Sequence, residues 1–439
     1  MASSLADHQT LESSMTVDLV RSNSHIDLET LPPEIRVQIL FLLDLEGLKS
    51  LVQASPVYHD QYLLDRRRLL LKCLATTLGS IFFEACIVQE TSSVSFSQTR
   101  NHDRIHDFFG SLTKRRFSAR HSDLTAGLEL KDAVDMVFFY HSVLKPLTEH
   151  YFVWALRNLA IESEAHTKID EALSESEEHR IIRALYRFQL CSNVFGVGPN
   201  KDELDLFRID FQLSDSEILK LLEDLWEPWE LEEINCIYVF AETKCREIHD
   251  AVTWDFSEKN PRFDDQERPP TPEGAVNIPQ HSRAYLNGTI TQGLERLHTL
   301  FFKIQEHSEL VNVMEQTLVL WLEEFLEGDV HGAFTHAAQS GRRARAPSER
   351  DKKEERREPL PFRGDRVDGV YPPLAWTLLW KGTYSNMLGS YIPDEIQSWG
   401  YVMWDAARLE RTGAKEVLAR EWDLMWGENE DARDQREFF

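Results

Sequence analysis

Long apolar runs are missing from this 439-residue chain. A membrane-spanning helix needs ~20 consecutive apolar residues, and no uninterrupted apolar run, Ile39 to Leu43 among them, approaches that length, so no span is expected. Cysteine is scarce as well: Cys73, Cys86, Cys191, Cys236 and Cys245 form an odd set with no close pairing. Such a set excludes a disulfide scaffold and predicts reduced, buried thiols in a cytoplasmic and/or nuclear protein. Glycine-rich phosphate loops are absent too. Gly196-Val-Gly198-Pro199 lacks the third glycine and the preceding strand of a dinucleotide site, no loop ends in Gly-Lys-Ser or Gly-Lys-Thr, and no Gly-x-Ser-x-Gly elbow occurs. Met1 to His25 has no basic start followed by an apolar stretch, so it reads as a tail rather than a secretory signal.

Positive charge is in deficit. Against 74 Asp and Glu stand 48 Lys and Arg, for a net charge of −26, a field that repels phosphate backbones and anionic lipid. Nucleic acid and membrane are therefore not expected partners. The one net-basic island runs from Arg342 to Arg357 inside a charged loop; it reads as a solvated segment, with a nuclear-import signal or a contact for an acidic partner as the alternatives.

What is present is helical periodicity. With 42% hydrophobic and 28% charged residues the chain has the composition of a folded protein. Its length exceeds one ordinary core. We expect an all-α fold: a tail over 1–25, a short three-helix module over 26–75, a helical body over 76–256 and 283–338, and an aromatic-rich helical end over 370–439. A Pro- and acid-rich loop at 257–282 and a charged loop at 339–369 interrupt the body. Stripes at Leu294, Leu297, Phe301 and Ile304, and at Leu310, Met314, Leu318, Trp321 and Phe325, predict amphipathic helices. Ser174 followed by Glu177 predicts a capping box opening a helix with Ile181, Leu185 and Phe188 inward and Arg180, Arg183 and Arg187 on another face. Trp376, Trp380, Trp399, Tyr401 and Trp404 are expected in the core, with a recognition groove as the alternative.

Three short helices are predicted between Leu31 and Leu78, from Pro33 in a first turn, Asp44 as a cap, and Ser55-Pro56 as a cap with proline at the first helical position. The first helix has apolar residues on two faces: Ile35, Ile39, Leu42 and Leu43 on one, Val37, Leu40 and Phe41 on the other. One face can pack on Leu48, Leu51, Val52, Tyr58 and Tyr62, leaving the second for the body or a partner. At ~25 cal/mol per Å², covering that second face supplies several kcal/mol.

The stretch Leu31-Pro-Pro-Glu-Ile-Arg-Val-Gln-Ile-Leu-Phe-Leu-Leu-Asp-Leu-Glu-Gly-Leu-Lys-Ser-Leu51 resembles the F-box, the helical module that docks onto the Skp adaptor of cullin-based ubiquitin ligases. The resemblance covers about Leu31 to Tyr62. It implies a non-catalytic adaptor that holds a protein substrate for a Skp/cullin ligase, with Leu31, Pro32, Ile35, Ile39, Leu40, Leu48 and Leu51 as the Skp contacts, and needs no cofactor. The rest of the chain, through Ser176-Glu-Glu-His-Arg-Ile-Ile-Arg-Ala-Leu-Tyr-Arg-Phe188 and Trp399-Gly-Tyr-Val-Met-Trp-Asp-Ala-Ala-Arg408, is similar to the helical region that follows such a start in uncharacterised proteins of filamentous fungi. The alternative is a helical interaction protein whose F-box-like helices pack against its own body, without ligase coupling.

Residues with catalytic or ligating chemistry offer less. His102-Asp-Arg-Ile-His106 sets two imidazoles one turn apart, but Asp103 stands where the zinc-protease pattern has Glu and no third ligand is evident in the spacing, so surface histidines are expected. His331 and His336 are no better placed. Glu232 and Glu233 are adjacent carboxylates in an acidic chain and do not by themselves imply acid–base catalysis. Asn287-Gly-Thr289 fits a glycosylation acceptor and Arg363-Gly-Asp365 an adhesion tripeptide, neither meaningful inside a cell.

Overall fold

The computed structural model describes residues 28–118, 124–163, 172–199, 213, 215–266, 272–321, 358, 360–367, 371–380 and 392–426. These residues are 77% helical and contain no strand. The basic island at Arg342 to Arg357, the pair His331 and His336, Phe325 and the N-terminal tail lie outside the described residues.

The chain opens with a short turn, Leu28–Thr30, and the helices α1 (Pro33–Leu42), α2 (Leu45–Ala54), α3 (Pro56–Leu64) and α4 (Arg66–Leu78), four where three were expected. Their boundaries are set by the local signals. Pro33 begins α1, the Asp44 carboxylate accepts from the Gly47 amide at 2.7 Å to cap α2, and Ser55 Oγ accepts from the Tyr58 amide at 3.3 Å to cap α3. There follow α5 (Phe82–Thr91), α6 (Val94–Gln98), α7 (His102–Ser118), α8 (Leu130–Phe139) and α9 (Lys145–Glu162). Of the described stretches, only Arg66–Thr91, spanning α4 and α5, is long and apolar enough to cross a membrane, and most of it is buried as a core helix would be.

The organising element is α10 (Glu175–Phe195). Ser174 and Glu177 form the expected capping box at its start, and every residue from Arg180 to Phe195 is buried. A helix hidden on all sides must sit at the centre of the body. It packs on α5 and on the 29-residue α12 (Pro228–Phe256), which is preceded by α11 (Asp215–Glu223). The arginine face expected to be merely another face of α10 is thus inside the protein. Arg187 pairs with Glu84 at 3.0 Å and Glu230 at 2.9 Å, and its guanidinium stands 5.0 Å from the Trp226 ring centroid. Arg180 reaches Asp405 at 2.9 Å and Asp365 at 3.2 Å, so the aspartate of the Arg363-Gly-Asp365 tripeptide is part of the fold.

After α12 come α13 (Ser282–Ile290), α14 (Leu294–His298) and α15 (His307–Thr317). The first predicted stripe is cut short: α14 runs into a π turn at Thr299–Lys303, and Ile304 is extended. The second is cut as well, because α15 stops at Thr317 and Leu318 is extended. Met314 is buried as expected, but Trp321 enters the core from an extended segment, its amide donating to the Ala284 carbonyl at 3.0 Å. That segment crosses α13 at Gly288, where any Cβ would collide with the Val319 carbonyl oxygen. Within the Pro- and acid-rich loop, Phe263 and Ile278 are buried, and Ile278 joins a small satellite core with Val252, Phe256 and Met314.

The aromatic end forms α16 (Leu374–Leu379), α17 (Asp394–Ser398), α18 (Ala406–Arg411) and α19 (Ala414–Trp426). Trp376, Trp380, Trp399, Tyr401 and Trp404 are all buried, in core packing rather than an open groove. Trp380 meets Trp422 edge to face at 5.2 Å between centroids, and the Trp404 indole N–H donates to the Trp399 carbonyl at 2.7 Å.

Candidate functional site

The N-terminal helices share one continuous core with the body, through Leu40, Leu45, Leu48 and Tyr58. Leu40 is fully buried, and its carbonyl accepts a hydrogen bond from Cys73 Sγ of α4 at 3.3 Å. Burial pushes that thiol up to about 11, with Asp44 adding to the effect, so it stays protonated and able to donate. The Leu45 amide donates to Thr77 Oγ1 at 2.9 Å, fixing α2 on the same helix. Arg67 of α4 then donates to the Thr125 carbonyl at 2.8 Å, tying this corner to the segment before α8.

The lead-in to α1 is held as firmly. Glu29 Oε1 accepts from Ser55 Oγ at 2.5 Å, the Leu28 carbonyl accepts from the Tyr58 hydroxyl at 3.2 Å, and Arg36 Nη1 donates to the carbonyls of Glu29 and Leu31 at 2.9 and 3.1 Å. Side chains at Leu31 and Pro32 are therefore presented on a fixed backbone.

The seven residues assigned to partner contact divide by burial. Leu40 and Leu48 are inside the core, where no partner can touch them without the packing opening. Leu51, Leu31 and Ile39 are half-buried. Pro32 and Ile35 are exposed, Ile35 by 42%. Ile35, Ile39 and Leu42 fall at i, i+4 and i+7, one face of α1, and Leu42 is 80% exposed. Leu28, Leu63 and Leu64 are exposed nearby in sequence, so five of the fifteen exposed large hydrophobic side chains among the described residues lie between Leu28 and Leu64. Scattered single leucines on a surface need no explanation; Ile35 and Leu42 differ in sharing one face of one helix. Leu42, Leu63 and Leu64 had no place among the sequence-derived contacts. Their periodicity is ordinary for short helices, and only packing shows which face stays open.

A cleft of about 620 Å³ opens beside α5 and α8, with Gln89, Asp132, Asp135, Tyr186 and Gln189 on its walls. Three of these polar groups serve the fold: Asp132 accepts from the Glu129 amide at 2.7 Å and from Gln89 Nε2 at 3.1 Å, and Gln189 Oε1 accepts from the Leu294 amide at 2.7 Å. Burial holds the Tyr186 phenol well above its ordinary value. Glu232 and Glu233 do not act as a pair. Glu233 binds Arg183, while Glu232 accepts from Gln397 Nε2 at 3.1 Å. His102 and His106, in contrast, are joined in space by Glu217.

No protein-family model, curated protein or solved structure matches the chain.

Proposed function

We propose that this chain is an F-box-like adaptor. It docks through the open face of α1, with its lead-in, onto a Skp-type subunit of a cullin ubiquitin ligase, and its helical body offers a surface to a protein substrate. The observation that carries the reading is the row of exposed Ile35, half-buried Ile39 and exposed Leu42 on a helix whose opposite side, at Leu40, is fully buried. A ten-residue helix on a globular surface needs one apolar face, and this one has two. The resemblance of Leu31 to Leu51 to the F-box supplies the identity of the partner; the exposed row supplies a surface to meet it. Leu40, Leu48 and Tyr58 act from below, as the packing that holds that surface in place.

The second reading, a helical interaction protein without ligase coupling, is favoured by one feature. Ala54-Ser-Pro-Val-Tyr58 stands where the family commonly has a Trp-containing third helix, and Tyr58 is buried within this chain. Affinity purification of the full chain, scored for Skp and cullin subunits, separates the two. Recovery of both supports the adaptor, and their absence from a folded, soluble preparation rejects it in favour of the second reading.

A further inference from the structure

His102 and His106 begin α7 one turn apart, and the fold brings to them a third donor that their linear spacing does not offer. Glu217, on α11, sets Oε1 3.4 Å from His102 Nε2, and one donor atom from each of the three side chains lies within 4.8 Å of the others. The two imidazole rings are neighbours, with centroids 4.5 Å apart. Ligand atoms ~2.1 Å from a tetrahedral ion stand ~3.4 Å from one another, so the His102–Glu217 edge already has the separation that coordination requires.

Two features of the cluster bear on a ligand. Asp103 Oδ1 lies 3.3 Å from His102 Nδ1, a contact that would keep the proton on Nδ1 once an ion takes Nε2. Such carboxylate–histidine contacts orient metal-bound imidazoles. Meanwhile His106 Nε2 is withdrawn from water without a hydrogen-bond partner among the described residues, an uncompensated polar atom in the same cluster.

We propose that His102, His106 and Glu217 bind one divalent transition-metal ion of the zinc class. Two imidazoles and one carboxylate suit Zn²⁺, Co²⁺ or Ni²⁺ and disfavour Mg²⁺ and Ca²⁺, which take oxygen ligands. The side chains of His102 and Glu217 are 42% and 38% exposed, which gives the ion a path in and leaves water its fourth position. The bound ion links the start of α7 to α11, segments more than a hundred residues apart in sequence, so it staples two parts of the body. Asp103 orients His102 and does not serve as a catalytic base. The site is independent of the adaptor surface at α1.

The test uses the tag-free full chain, freed of metal by dialysis against a chelator and titrated calorimetrically with ZnCl₂. Binding of one equivalent is expected, with a rise in the thermal unfolding midpoint, and Co²⁺ should give the visible absorption of a nitrogen- and oxygen-ligated ion. His102→Ala, His106→Ala and Glu217→Gln should each weaken binding about tenfold or more, while His59→Ala, at an exposed histidine elsewhere, should leave it unchanged. Circular dichroism of each variant separates lost ligation from lost folding. Equal Zn²⁺ affinity in the three ligand variants and the natural chain, or no binding by the natural chain, overturns the assignment.

Discussion

Arg183 grips Glu233 with two donors, Nε to Oε2 at 3.0 Å and Nη2 to Oε1 at 2.6 Å, and the two side chains are only 6% and 1% exposed. The pair sits in a larger balanced cluster. Glu230 lies 3.7 Å from Arg183, 2.9 Å from Arg187 and 3.8 Å from Arg116, and Glu84 joins through Arg187. Three guanidiniums thus meet three carboxylates. Burial by itself would raise the Glu230 carboxyl, but Arg187, Arg116 and Arg183 outweigh it and hold it down to about 2. Burial would likewise lower the Arg183 guanidinium, yet Glu233 and Glu230 leave it raised.

Removing one partner from such a pair strands a charge in the core. Arg183→Met or Glu233→Leu alone should cost about 3–5 kcal/mol, whereas the double variant Arg183→Met with Glu233→Leu should recover most of that loss, because an apolar pair of similar volume needs no compensation. Urea unfolding of the four proteins gives the coupling energy directly. Additive losses would show that Arg183 and Glu233 do not act as a unit.

On α1, Leu40 and Leu42 are two residues apart and behave oppositely, at 0% and 80% exposure. Leu40→Ala should destabilise the chain by about 2–5 kcal/mol through the cavity it leaves. Ile35→Asp with Leu42→Asp should leave stability within about 1 kcal/mol, since substitutions at exposed positions cost little. The same double variant should lose co-purification with Skp. Undiminished Skp recovery from a protein of normal stability would remove the open face of α1 from the contact.

Local features were legible in advance, because their causes lie within a few residues. Pro33, Asp44, Ser55 and the Ser174–Glu177 box mark helix starts that a reader can place from residue type alone. The inward turn of Trp399, Tyr401 and Trp404 follows from their bulk. What distant segments impose was not legible. The partners of Arg187 come from α5 and α12, those of Arg180 from near the C-terminal helices, and Glu217 reaches His102 across 115 positions. Likewise α15 ends at Thr317 because the chain beyond it must cross α13 at Gly288, a constraint invisible in the spacing of Leu310, Met314 and Leu318.

That crossing gives a sharp test of packing. Gly288→Ala places a methyl group against the Val319 carbonyl, backbone that cannot rotate away, so the extended segment carrying Trp321 must shift. A loss of about 1–3 kcal/mol is expected from overpacking, although alanine is the better helix former by about 1 kcal/mol. Reduced urea midpoint together with a changed tryptophan emission would report the displaced Trp321. A stabilised variant would mean that the segment yields without cost.

Acid should weaken the protein in two stages. His249 Nε2 is 2.9 Å from Thr289 Oγ1, and that hydroxyl donates its own proton to the Tyr285 carbonyl at 3.0 Å, so the imidazole must be the donor in the first contact. Burial lowers this histidine from 6.5 to about 4, keeping it neutral in the fold. The unfolded chain takes up the proton first, so the contribution of His249 is complete above pH 6.5 and declines as the pH falls toward 4, by about 2 kcal/mol at pH 5. Glu230, ordinarily near 4.5 and held at about 2, then loses its contribution between those two values. His249→Gln keeps a donor for Thr289 and cannot titrate. Urea midpoints measured from pH 7 to pH 4.5 should therefore fall less steeply in His249→Gln than in the natural chain, and parallel slopes would show that His249 takes its proton equally well in both states.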